Sequence, residues 1–149
     1  MAFIGLFFVQ LPVFAEVKST TLVNGLQPSG EVKGLVNTKT LIDRESPDGR
    51  RVLAIRGTRL QGTRVPIHIH EYGGMTCIFS GQITDFVEGM PDKTYKAGDC
   101  YYMPSNTPMS AYNSGNIPAV LVDIFHLPYG VKPIKIIERG INNENILLD

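Results

Sequence analysis

The sequence predicts an all-β barrel or sandwich, and three observations carry that reading. Short runs rich in Val, Ile, Thr, Tyr and Phe recur along the chain. Clusters of Gly, Pro, Asn and Asp separate them at the spacing of antiparallel strands. Helix signals are nearly absent, because no segment sustains an apolar repeat of three to four residues. At 149 residues the chain holds one domain with a real core and is too short for two.

Taken in order, strands are expected at 20–23, 34–36, 40–43, 52–58 and 66–71, and then at 75–80, 82–88, 94–97, 100–103, 109–113 and 119–126. Each is a β-branched or aromatic run bounded by turn residues. Ser46-Pro47-Asp48-Gly49 is a turn, in which Pro presets φ and Gly supplies a positive one. Gly81, between two of the runs, reads as a tight β-connection. Residues 16–139 form the expected barrel domain, and 140–149, rich in Asn, read as a loose tail.

Lys plus Arg equals Asp plus Glu at 14 each, with no basic run, so no concentrated positive face is available for nucleic acid. No apolar run in the folded body has the length of an ordinary transmembrane helix, so no membrane association is expected once the leader is removed. Residues 1–15 differ from the rest: they carry no charge, are almost wholly apolar and close on Val13-Phe14-Ala15. That pattern resembles a signal peptide cut after Ala15, which predicts a mature chain in the periplasm or outside the cell. Without that cleavage the segment is an apolar arm and the protein cytoplasmic. Cys77 and Cys100 are then either a disulfide or two buried thiols, and the sequence leaves both open.

The chemistry concentrates in Gly62–Gly81, GTRVPIHIHEYGGMTCIFSG. On a strand, His68 and His70 project to one face and can reach one ion, while Glu71 points the other way. Tyr72 and Gly74 share the histidines' parity.

This stretch resembles the first motif of the cupin superfamily, whose fold is a double-stranded β-helix (jelly-roll) barrel. Gly62, His68, His70 and Gly81 match that motif in spacing, and Gly74 stands where the family has a Glu. The second motif matches through Gly98, Pro104 and Asn113. There Asn106 takes a Gly position and Met109 takes the His position. Asn106 preserves the turn, since Asn tolerates positive φ.

The resemblance implies a metal site in a small-molecule pocket, altered to His68, His70 and Met109. Losing a carboxylate and gaining a thioether favours copper or zinc over iron or manganese. Tyr72, Tyr102, Tyr112 and His126 are expected to line the pocket. Asp123, a carboxylate in an apolar run, is a candidate base, a residue paired with a backbone N–H, or one that faces a partner subunit. Arg56, Arg59 and Arg64 read as solvated, with Arg64 also able to meet a carboxylate at the rim. Family topology also implies that the strands of Cys77 and Cys100 lie close together, and that the chain forms a homodimer, with 17–36 able to exchange between subunits. Alternatives are a metal-free small-molecule-binding protein and an isomerase, lyase or dioxygenase of undetermined substrate. The sequence does not decide whether the chain is an enzyme.

Overall fold

The computed structural model describes residues 17–141, so the proposed leader 1–15 lies outside the described residues, as does most of the tail. Twelve strands make two facing sheets, and no helix occurs among the described residues. The strands are β1 (Glu31–Val32), β2 (Val36–Glu45), β3 (Arg50–Arg59), β4 (Thr63–Arg64), β5 (His68–Ile69) and β6 (Gly74–Ser80). They continue as β7 (Gln82–Val87), β8 (Lys93–Lys96), β9 (Cys100–Met103), β10 (Met109–Tyr112), β11 (Ala119–Pro128) and β12 (Lys135–Ile136).

One sheet runs β2-β3-β11-β6-β9. The other runs β1-β4-β10-β5-β12, with β7 on the far side of β10 and β8 beyond it. β4 and β5 are one extended run interrupted at Pro66, which has no N–H to give a ladder. Alternation builds the core. In β7, Ile83, Asp85 and Val87 face inward while Gln82, Thr84 and Phe86 face outward. Leu53, Ile55, Ile78, Ile83, Leu121 and Phe125 belong to the main apolar cluster between the sheets.

The motif glycines are demanded by the backbone. Gly81, at φ 74°, joins β6 to β7, and a Cβ there would stand 2.9 Å from Ala119 Cα. Asn106, at φ 51°, holds the left-handed conformation expected of a Gly substitute. Buried Asn113 is a staple: its Nδ2 donates to the carbonyls of Arg59 and Ile117, and its Oδ1 accepts from Gly115 N–H.

Three short strands escaped the sequence reading: β1, β4 and β12. Each has two residues, too few for alternation to register. The expected strands at 34–36 and 40–43 merge into β2. The run 20–23 makes isolated bridges, Thr20 with Glu138 and Val23 with Leu26. This arm packs on its own chain: Asn24 Nδ2 donates to the carbonyls of Val87 and Met90. Cys77 and Cys100 are bonded to each other across the β6–β9 pair. Cys100 lies on the exposed face, whereas neighbouring Thr76 and Tyr101 are buried.

Candidate functional site

The expected pairing of His68 and His70 is what the structure contains. Both are almost fully buried, at 4% and 3% exposure, and both line a cavity of about 70 Å³ between the sheets. Their Nε2 atoms face one another at 3.0 Å. His68 Nδ1 donates to the Pro66 carbonyl at 2.7 Å, and His70 Nδ1 donates to the Pro133 carbonyl at 2.7 Å. A carbonyl only accepts, so each Nδ1 carries a proton and each neutral ring turns a lone pair on Nε2 toward the other. Burial holds His68 well below the usual imidazole range, with the neighbouring His70 adding to the effect, and burial also lowers His70. Two lone pairs at this distance repel unless something electrophilic lies against both.

The carbonyl anchors come from backbone geometry that the motif does not spell out. Pro66 O belongs to the break between β4 and β5. Pro133 O belongs to the segment that leads into β12. A buried ion pair clamps that segment: Arg64 Nη1 and Nη2 donate to Glu138 Oε2 and Oε1, both at 2.7 Å. Glu138 Oε2 also accepts from Ile67 N–H, and Ile137 N–H donates to Ile67 O. Burial alone would raise the Glu138 carboxyl, but Arg64 and the Ile67 N–H together bring it below its ordinary value. Arg64 is therefore neither solvated nor a rim group for ligand. It is a strut behind the histidines.

Met109 is the Cα partner of His68 on the adjacent antiparallel strand, so the two share a face, and Met109 also lines the cavity. Gly74 is more than a missing carboxylate. A Cβ on it would sit 2.8 Å from both Met103 Cε and Phe125 Cδ1. The Phe125 ring lies 5.3 Å from that of His70. Apolar side chains have closed the place of the family's Glu. Among the described residues, no group of three or more His, Cys, Asp and Glu side chains is arranged to hold an ion. As a fit test, two ring nitrogens each about 2.1 Å from one ion stand roughly 3.0 Å apart when the bond angle is near 90°. The imidazole pair meets that distance.

Four expected pocket residues lie elsewhere. Tyr72 is exposed with the Arg50 guanidinium over its ring, and Tyr102 is exposed on the outer face of β9. Tyr112 is half-buried against Gly30. His126 is exposed, with Nε2 3.2 Å from Ser46 Oγ and 3.5 Å from Asp48 Oδ2 at the β2–β3 turn. None of the four lines the cavity. Strand parity predicts this for Tyr102, because Tyr101 and Met103 are the buried members of β9. For Tyr72 parity fails, because the strand ends at Ile69 and a turn follows.

In their place stand residues that the motifs pass over. Arg59, at 4% exposure, is not solvated: its Nη1 donates to the Lys33 carbonyl and its burial lowers it to about 10. Asp85, at 5% exposure, is raised to about 7 by burial, with Asp92 adding to it. Asp123 is raised to about 6 by burial, although it accepts from Thr76 Oγ1 at 2.6 Å and lies near Arg59. Burial also pushes the Tyr101 hydroxyl well above its ordinary value, so it stays a neutral donor. All four line the cavity. Asp85 was legible in principle, since it occupies an inward parity position between Ile83 and Val87.

A family model described as Cupin domain matches residues 58–125. No curated protein sequence matches the chain. Among solved structures, the chain is similar to the DMSP lyase DddQ from Ruegeria pomeroyi DSS-3, at 19% identity and TM-score 0.55, over 66% of this chain and 50% of that one. It thus spans half the length of that lyase. It is also similar to an uncharacterized conserved protein with a double-stranded β-helix domain from Klebsiella pneumoniae, at 18% identity and TM-score 0.55, over 72% and 91%. An RmlC-like cupin family protein from Methanocaldococcus jannaschii matches at 21% identity and TM-score 0.53, over 66% and 84%. These likenesses establish the double-stranded β-helix fold and, at such identities, no particular chemistry.

Proposed function

We propose that the chain, which matches a cupin domain over residues 58–125, is an exported single-domain cupin that binds a transition metal through His68 and His70 inside a small-molecule pocket. The observation that carries the reading is the 3.0 Å approach of two Nε2 atoms whose opposite nitrogens are both committed to carbonyls. Backbone acceptors on Nδ1 fix the tautomer and orient the ring for ligation, which is the usual support for a metal-bound histidine. Met109 is the candidate third ligand. The imidazole spacing suits a near-right angle better than the wider angles of tetrahedral zinc or linear copper(I), so it gives no support to the copper or zinc preference taken from the thioether. A bound ion supplies a Lewis acid toward a ligand oxygen. The chain's own part is to hold both rings, exclude water with Phe125 and Met103, and present Asp85, Asp123 and Tyr101 on the cavity wall.

Elemental analysis of protein expressed in metal-replete medium tests this. A stoichiometric metal that disappears in the His68→Ala/His70→Ala double variant supports the reading. A metal-free parent overturns it and leaves a small-molecule-binding cupin in which the two rings share a proton.

Export is supported by the Cys77–Cys100 bridge, since disulfides persist in oxidising compartments. We also propose a homodimer formed along β2. That edge strand is ten residues long, exposed throughout, and presents Val36, Leu41 and Ile42, with only β3 as a partner among the described residues. Light scattering should give twice the chain mass for the parent and a monomer for Leu41→Lys/Ile42→Lys. A monomeric parent contradicts it.

A further inference from the structure

We propose that Arg59 and Asp85, with Asp123 and Tyr101 beside them, form a recognition subsite for a compact uncharged ligand that carries an oxygen acceptor next to a hydroxyl. A hydroxyketone or a vicinal diol has that chemistry. The subsite does not depend on an ion at the histidines, and it occupies the same cavity.

Two orphaned atoms point to it. Arg59 Nε and Asp85 Oδ1 are buried and have no hydrogen-bond partner among the described residues. Both residues are more than nine-tenths buried and both line the cavity. Leaving a buried donor or acceptor unpaired is unfavourable, so such atoms are retained where something else satisfies them. One orphan is a donor from a guanidinium and the other is a carboxylate oxygen. A single molecule completes both only if it offers a lone pair to Arg59 and a hydroxyl to Asp85.

Charge and size narrow the class. The Arg59 guanidinium already faces the Asp123 carboxylate through space, without a hydrogen bond between them, and each shifts the other's titration. A ligand carboxylate would add an unbalanced charge beside Asp85 and Asp123 in a desolvated space, which is costly. An uncharged oxygen compound adds none. A cavity of about 70 Å³ takes roughly five water-sized atoms, at 10–15 Å³ for each. Hydroxyacetone has that size and both functional groups. Its methyl end would meet Leu121, Met103 and Ala111, which also line the space.

The experiment is an NMR titration of the whole chain, stripped of metal with a chelator, using hydroxyacetone and lactate as probes. Saturable binding of hydroxyacetone at millimolar concentration is expected, at least tenfold tighter than lactate. It should weaken at least tenfold in Arg59→Met and in Asp85→Leu, with amide spectra showing both variants folded. Asp85→Leu serves as the reference if Arg59→Met fails to fold, because it replaces a buried carboxylate by an apolar side chain of similar shape. The His68→Ala/His70→Ala variant should keep the binding, which separates this inference from the metal reading. Preference for lactate overturns the ligand class. Binding that survives in Asp85→Leu, or that is lost only in the histidine variant, overturns the subsite.

Discussion

Asp85 is a buried carboxyl that carries a stability cost. Its carboxyl is raised to about 7 in the folded chain from an ordinary 3.8, by burial first and Asp92 second. Between these values the native state holds a proton that the unfolded chain has lost. Stability therefore falls as pH rises through that window, by on the order of a few kcal/mol in total. Asp85→Asn should remove most of this slope. In chemical denaturation the variant is expected to be more stable than the parent at pH 8 and equal to it near pH 4. Asp123, raised to about 6, contributes the same sign over a narrower window and so a smaller total, while Glu138 acts oppositely below pH ~4.5. An unchanged difference between parent and variant at both pH values would contradict the account. Gly74 argues the converse case. Gly74→Glu restores the family's carboxylate in sequence, yet the place is filled by Met103 and Phe125. Overpacking of this kind costs about 1–3 kcal/mol. The variant is expected to melt lower without gaining metal affinity, and Gly74→Glu/Phe125→Ala should recover part of the stability.

Among elements, the segment from Pro133 to Glu138 matters more than its length suggests. It supplies the carbonyl that fixes His70, and the Arg64–Glu138 pair fixes the segment. Removing one partner of a buried pair strands the other charge and typically costs 3–5 kcal/mol. Glu138→Ala should lose about that much in urea unfolding and should also free the His70 ring. A stability loss under 1 kcal/mol would show that the clamp is not structural. The sequence could not disclose this element. β12 has two residues, and Arg64, which holds the segment through Glu138, carries no local sign that its charge is buried against a mate 74 positions away. The motif strands were legible because their signals are local. Glycines at positive φ, His-x-His and alternating β7 each act within a few residues. Tyr72 depends on where a turn interrupts a strand, which alternation alone does not specify, whereas Arg59 shares the inward parity of Leu53 and Ile55 in β3 and Tyr102 the outward parity of β9.

At the scale of the molecule, the two sheets place a neutral imidazole pair on one wall of a cavity, with Arg59, Asp123 and Tyr101 on the wall opposite. The disulfide staples β6 to β9 on the outer face, away from this space. Reducing it should cost about 3 kcal/mol, as expected for a closed loop of 23 residues. The histidine spectra should not change on reduction. The most direct test of the central claim is the ¹⁵N spectrum of the histidine rings before and after one equivalent of a divalent transition metal. The account predicts that His68 and His70 are both protonated at Nδ1 alone, and that both Nε2 signals shift together and saturate at one ion per chain. Rings protonated at Nε2, or Nε2 signals unmoved by the metal, would contradict it.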